Sequence, residues 1–396
     1  MPDTTIGRRL ANLRDRRRMS QRRLAETAGV SVDVIRKLEQ GQRQAGRLDT
    51  LVRLAKALDV PAAELIGKPR GLIVDAENGE VLELRRALLG IGLKPYTDDP
   101  PTTDELRVRV ADLWRLYWTG RYGLLARHLP PALADARASL RQTPGPAGHA
   151  VLAELLQISA ALLAHVAYED LAHVALLHAL AEAERAEYPL LRAAQQATLT
   201  WLLSRQGLWD EAEHLAVTAA AEVEPAISRA TPDQLAVWGE LMRYGVTAVA
   251  RTGRRSEAEE MLGMVTAAAS AMAGRRATLA GVLPFGATIA GMAAVGIAVA
   301  TDEPRRALDL ADRVDGLPSA PLAIQARYLL NVAFAQTMDW RSREAVETLR
   351  RVDGLAPELL PHQTIARAIV DELLPRRRQQ RLPGLVAIAK RVGAEV

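Results

Sequence analysis

The chain has 396 residues, 49% hydrophobic and 25% charged, with no cysteine and a net charge of +4. That composition excludes a disordered chain, leaves room for more than one domain, and rules out a disulfide framework and thiolate metal ligands. It suits a reducing cytoplasm. The first ten residues are polar and Arg-rich with no apolar run after them, so no secretory signal is expected. The charge is uneven. Residues 1–70 hold 16 Lys and Arg against 8 Asp and Glu, which leaves the remainder mildly acidic. A basic head on an acidic body fits a nucleic-acid-binding module joined to one that does not bind nucleic acid.

In chain order, the first informative stretch is SQRRLAETAGVSVDVIRKLEQ, residues 20–40. Ser20 is a good N-cap for a short helix with apolar positions Leu24, Ala25 and Ala28. Gly29 stands where the chain must turn sharply. Ser31 caps a second helix whose inward stripe is Ile35 and Leu38, with Val30 packing in front. Val32, Asp33, Arg36 and Lys37 share the outward face of that helix. Such a pair is a helix-turn-helix, whose second helix lies in the major groove of DNA. Arg36 or Lys37 suits guanine O6/N7, Val32 a thymine methyl, and Asp33 a cytosine amine. Gln21, with Arg22 beside it, is placed for a phosphate.

Residues 6–66 resemble the lambda-repressor-like (Cro/C1-type, XRE-family) DNA-binding domain. The resemblance rests on IGRRLANLR, MSQRRLA, GVS, IRKLEQG and LVRLAKALDV. It implies five helices, near 5–18, 20–27, 31–40, 48–58 and 61–66. It also implies a structural pair of Arg14 with Glu39, a leading Gln21, and recognition positions at Ser31, Val32, Asp33, Arg36 and Lys37. The loop before the fourth helix departs from the family: Ala45-Gly46 stand where a proline is usual, which weakens the DNA role of Arg43 and Arg47 in that loop.

Lys68-Pro69-Arg70-Gly71 closes the first domain with turn chemistry. Asn78-Gly79 allows a small hairpin between 72–74 and 81–84, but two such strands would be isolated, and a helix from Glu80 to Leu89 is preferred. Residues 94–104 hold three prolines and read as a linker ending in a helix start at Thr102 or Thr103. The predicted organisation is a head at 1–69, a linker with one helix at 70–104, and a helical body at 105–396.

The body is helical almost throughout, with turns at 119–123, 143–148, 205–210, 252–256, 301–305 and 338–343, and no segment reads as a strand. A weak repeat runs through it. Ala212, Ala258, Ala307 and Ala345 each follow a turn and a charged helix start, each with a leucine three or four residues on, at spacings of 46, 49 and 38. The units look like a degenerate tetratricopeptide-type α-solenoid, with earlier units starting at 105–119 and 151–166. The body also resembles the helical half of a group of actinobacterial Cro/C1-type regulators, through 113–133, 283–288 and 382–393. Within 286–292 that group often carries Asn and His, where this chain reads GATIAGM. The predicted fold class is all-α.

Several features carry two readings. The uncharged run 277–300 has the length of a membrane span, but its Ala and Gly content and Pro284-Gly286 favour a loop and a buried helix. Trp114, Tyr117, Trp118 and Tyr122 have core or subunit-contact spacing, with an aromatic ligand box as the second reading. The seven histidines are scattered, so no metal site is expected and solvent or core-edge roles fit them. The arginines at 376, 377, 378 and 381 read as a solvated helix end. No catalytic constellation stands out, so neither an enzyme nor a cofactor is expected.

The sequence thus predicts a cytoplasmic transcriptional regulator that binds an operator as a homodimer, away from membranes, and senses a small molecule or peptide through its body. Polar helix positions that suit a ligand groove are Arg192, Gln195, Arg243, Tyr244, Gln325 and Asn331. The alternative is a DNA-binding scaffold whose solenoid recruits a partner protein without a small ligand.

Overall fold

A computed structural model describes residues 6–40, 48–58, 60, 65, 80–90, 99–166, 168–275, 277, 279, 285–377 and 380–394. Those residues form nineteen α-helices and three single 3-10 turns, with no strand among them.

Four helices make the head: α1 (Ile6–Arg16), α2 (Gln21–Ala28), α3 (Val32–Glu39) and α4 (Leu48–Ala57). Ser20 Oγ accepts from Arg23 N at 3.1 Å and Ser31 Oγ from Val34 N at 3.4 Å, which satisfies an otherwise unpaired donor at each helix start. Gly29 ends α2 in the left-handed region, φ 63°, and its N–H returns to the last turn. Leu10, Leu24, Ile35, Leu38, Leu51 and Leu54 are fully buried in one cluster. Each such side chain stabilises the fold by about 1.5–3 kcal/mol relative to exposure. Of the helix expected at 61–66, only Leu65 lies within the described residues.

Helix α5 (Glu80–Leu89) buries Leu84, Ala87 and Leu88 in the core of the body. Arg137 donates to the carbonyls of Ala87 and Leu88 and so caps its C-terminus. Seven helix pairs follow. They are α6 (Thr103–Trp118) with α7 (Tyr122–Gln142), α8 (Pro146–His165) with α9 (Glu169–Arg185), and α10 (Pro189–Gln206) with α11 (Trp209–Glu222). Then come α12 (Pro232–Arg251) with α13 (Arg255–Met272), α14 (Ala287–Ala300) with α15 (Pro304–Ala311), α16 (Leu322–Met338) with α17 (Ser342–Leu355), and α18 (Thr364–Arg376) with α19 (Leu385–Arg391). Thr102 and Thr231 start α6 and α12 with complete capping boxes.

One backbone device joins the first six pairs. The residue before each second helix is Arg121, Tyr168, Leu208, Arg254, Glu303 or Arg341, with ψ between 58° and 71°. Its N–H bonds to the carbonyl five residues back at 2.8–3.3 Å. Where the preceding residue is described it is left-handed: Gly120, Gly207, Gly253, Asp302 and Trp340. Four residues after the junction stand Leu125, Ala172, Ala212, Ala258, Ala307 and Ala345, all fully buried. The four-alanine pattern in the sequence is therefore part of a six-fold register. A small residue at this point lets the paired helices approach closely.

The uncharged run contains α14, an apolar helix of 14 residues that starts after Gly286. Among the described residues only Pro146–His165 is long and apolar enough to cross a membrane, and 72% of its apolar window is buried inside the fold. Arg376 is not part of a solvated helix end, because it donates to Thr337 O at 3.0 Å, pairs with Glu372 at 2.8 Å, and lies 4.1 Å over the Trp340 ring.

Candidate DNA-binding surface and enclosed cavity

The head presents α3 on a braced frame. Ile35 and Leu38 are fully buried, and Val32 on the opposite side is 41% exposed. Glu39, the last residue of α3, receives Arg14 Nε at 2.7 Å and Arg14 Nη2 at 3.2 Å from α1. Gln21 Nε2 of α2 donates to the same carboxylate at 2.7 Å. One side chain thus ties three helices together. The hydrogen bonds to Glu39 raise the pKa of Arg14 above its ordinary value. One amide hydrogen of Gln21 is thus used inside the head.

On the outward face of α3, Asp33 holds both cations, Arg36 by a short contact and Lys37 at 2.6 Å. These bonds, first from Lys37 and then from Arg36, pull the Asp33 carboxyl below its ordinary range. The carboxylate therefore stays ionised and keeps both basic side chains gathered on one face. Arg22 is exposed and reaches Glu26 at 3.2 Å. Ser31 is occupied as the N-cap. Arg43 and Arg47 lie outside the described residues.

A second site is formed by the body. A cavity of about 280 Å³ is bounded by the first helices of the pairs, α6, α8, α10, α12, α14 and α16. Trp114, Tyr117 and Trp118 of α6 and Trp201 of α10 supply aromatic walls, while Ile289, Met292 and Ala293 of α14 supply an aliphatic one. Trp114 and Trp118 stack with centroids 5.9 Å apart, and Trp114 meets Tyr117 edge-on at 5.4 Å. The aromatic residues at 114–118 are therefore core packing and cavity wall together, with Trp114 and Tyr117 each 4% exposed. Tyr122 is fully buried behind them.

The charged residues of the cavity come from α12 and α16, and Thr198 and Ser204 of α10 add hydroxyls. Of the six groove positions expected from sequence, Arg243, Tyr244 and Asn331 line the cavity. Arg192 instead faces Glu222 at 3.5 Å, and Gln195 is buried and bonded to Ala153 O. Gln325 caps the turn before its helix through Ala320 O at 2.7 Å. Those three are not on the cavity wall: Arg192 and Gln195 are turned into inter-helix contacts, and Gln325 is spent on the turn before its own helix.

Arg327 is the central residue that sequence reasoning missed. Its Nη2 donates to His165 Nε2 at 2.7 Å and to Tyr117 Oη at 3.2 Å. A guanidinium has only donors, so Nε2 is the lone-pair nitrogen of His165 and Nδ1 carries the hydrogen. His165 is 1% exposed and stacks on Tyr122 at 5.2 Å. This corrects the expectation of solvent or core-edge histidines. Burial, with Arg327 and Arg205 close by, holds its pKa well below the ordinary value, so the ring is neutral.

Among the described residues no group of three His, Cys, Asp or Glu side chains is arranged to hold a metal ion. On α8, burial pushes the Glu154 carboxyl up to about 7, against the opposing pull of Trp114 and Arg107. A carboxyl raised in the folded state contributes stability that is complete below the unfolded value of about 4.3 and is lost as pH rises toward 7. Glu154→Gln is expected to flatten that slope. Its gain in stability over the parent should be larger at pH 8 than at pH 4, by at most about 4 kcal/mol, read from melting curves. Parallel melting curves at both pH values would contradict this.

Residues 5–65 match the family model described as Helix-turn-helix domain. No curated protein sequence matches the chain. The match covers the head, with its Ser20-capped and Ser31-capped helices and the Gly29 turn between them. The chain therefore carries an N-terminal helix-turn-helix DNA-binding domain, followed by a large all-helical region.

Proposed function

We propose that the protein is a sequence-specific transcriptional regulator whose head, residues 1–69, binds an operator and whose helical body dimerises and senses a small molecule. The observation that carries the DNA reading is the brace on Glu39. It fixes α1 and α2 to α3 while the Val32, Asp33, Arg36 and Lys37 face stays exposed. A recognition helix held in this way inserts as a rigid unit into the major groove. Arg36 and Lys37 leave Asp33 for guanine edges or phosphates, and Asp33 is then free to accept from a cytosine amine. One such helix covers few base pairs, so a homodimer on two half-sites supplies the specificity a genome requires.

The body is read as a tetratricopeptide-type array of degenerate units. Its cavity, with aromatic walls and a few convergent polar groups, favours a small ligand over a scaffold that only recruits protein. The fold closes on itself around that cavity. Arg327 of α16 reaches α6 and α8, and Glu358 accepts from Gly123 N at 2.9 Å. A ligand that prefers one spacing of these helices shifts the arrangement of two heads.

Arg36→Ala is expected to weaken specific binding by about 1–3 kcal/mol and relax selection at one base position. Binding-site selection with both proteins checks this, and an unchanged base preference would refute the assignment.

A further inference from the structure

The cavity carries more positive charge than its walls neutralise. Arg243 and Arg327 line it against one carboxylate, Glu240, which Arg243 faces at ion-pair distance. Among the described residues, the hydrogen-bond partners of Arg327 are a tyrosine hydroxyl and a neutral histidine, and no carboxylate lies within ion-pair distance. Its Nε is shut off from solvent with no partner. Arg243 stands 4.0 Å over the Tyr244 ring and 3.7 Å from Glu240, beyond hydrogen-bond reach, and its Nε is likewise buried without a partner. Behind Trp201, Arg205 stacks at 5.3 Å, and burial lowers its pKa.

Burying the Arg327 guanidinium without an anionic partner is costly, and the cost is recovered when an anion supplies the missing acceptor. Cation–π contacts from Tyr117, Trp201 and Tyr244 soften the charge but accept none of the unused N–H groups. The rest of the wall is flat and apolar. It suits a planar body lying against Trp114 and Trp118 and facing Ile289 and Met292. About 280 Å³ is small for a ligand site, which selects a compact molecule.

We propose that this cavity binds a small aromatic carboxylate, its carboxylate between Arg327 and Arg243 and its ring in the Trp114–Trp118 wall. This rests on the sensor reading above and narrows its ligand to one chemical class. Arg327, which has no carboxylate partner among the described residues and lines the cavity, offers such a carboxylate a charge-assisted donor. A cation is repelled by the same arginines, and a neutral isostere leaves their donors unsatisfied.

The test titrates the full chain with three matched probes, 3-phenylpropionate, 3-phenylpropionamide and 3-phenylpropylamine, followed by tryptophan emission and calorimetry. The carboxylate should bind and the amide should bind about 10- to 100-fold more weakly. The amine should not bind at millimolar concentration. Arg327→Gln should abolish the preference of carboxylate over amide. The comparison of probes on the unaltered protein stands even if that variant does not fold. Equal binding of amide and carboxylate, preferred binding of the amine, or no carboxylate binding at millimolar concentration would overturn the proposal. DNA affinity is measured with and without the carboxylate. A carboxylate that binds and leaves DNA affinity unchanged upholds the anion site and counts against the sensor reading.

Discussion

Gly7→Ala is expected to open the head and abolish DNA binding while leaving the helical body intact. A Cβ on Gly7 would stand 2.0 Å from the Leu38 carbonyl oxygen, 3.0 Å from its carbon and 3.2 Å from Glu39 Cα. All three are backbone atoms of α3, so no side-chain rotation relieves the overlap. Helix α1 must retreat by roughly 1 Å to restore van der Waals distance. That retreat unseats Leu10 and Leu13 from the shared core and stretches the Arg14–Glu39 contact. Overpacking a core costs about 1–3 kcal/mol, and more where backbone meets backbone. A domain of some sixty residues has only about 3–9 kcal/mol in total. Hydrogen exchange checks this directly. Amides of α1 and α3 should exchange much faster in the variant, and those of α6 through α18 should not change. Unaltered protection in α3 would mean that the two helices are not in backbone contact.

Glu39→Gln is the second large effect. The carboxylate is mostly buried, with 9% of its side chain exposed, and Arg14 has 15%. Removing the charge leaves the largely buried Arg14 guanidinium with only the exposed Asp15 carboxylate, at 2.6 Å, and sets the Gln21 amide against another amide. Breaking a buried pair costs about 3–5 kcal/mol, and partial exposure of Arg14 puts the expectation at the lower end. The head should lose stability and α3 its fixed angle, so affinity for specific and non-specific DNA should fall together. Glu39→Asp is a useful companion, because it keeps the charge but shortens the reach to α1 and α2. A Gln variant as stable as the parent, with unchanged DNA affinity, would refute the bracing role.

The head was legible because its signals are local. Ser20, Gly29 and Ser31 act on backbone within three or four residues, and Ile35 and Leu38 repeat at helical spacing. Gly7 was not, because what forbids its Cβ is a carbonyl more than thirty residues away. The alanine register of the body was half legible. Ala212, Ala258, Ala307 and Ala345 follow charged helix starts, whereas Leu125 and Ala172 share their backbone geometry without the same residue pattern.

The cavity was not legible as a site. Its walls come from helices far apart in the chain, and nothing local joins Trp118 to Arg327. One signal existed: Arg327 is the single charge in LAIQARYLLNVAFAQTM, an otherwise uncharged helix. A lone arginine there must either leave the core or find partners inside it. Choosing groove residues by polarity alone selected Gln195 and Gln325, which instead satisfy backbone carbonyls.

The central claim is that α3 reads DNA from a braced head. The most direct measurement is binding-site selection from random duplex DNA at low salt, using the full chain and its Arg36→Ala/Lys37→Ala double variant. The account predicts that the parent enriches a defined half-site and that the double variant enriches none while its head stays folded. No enrichment by the parent, or the same half-site from both proteins, would contradict it.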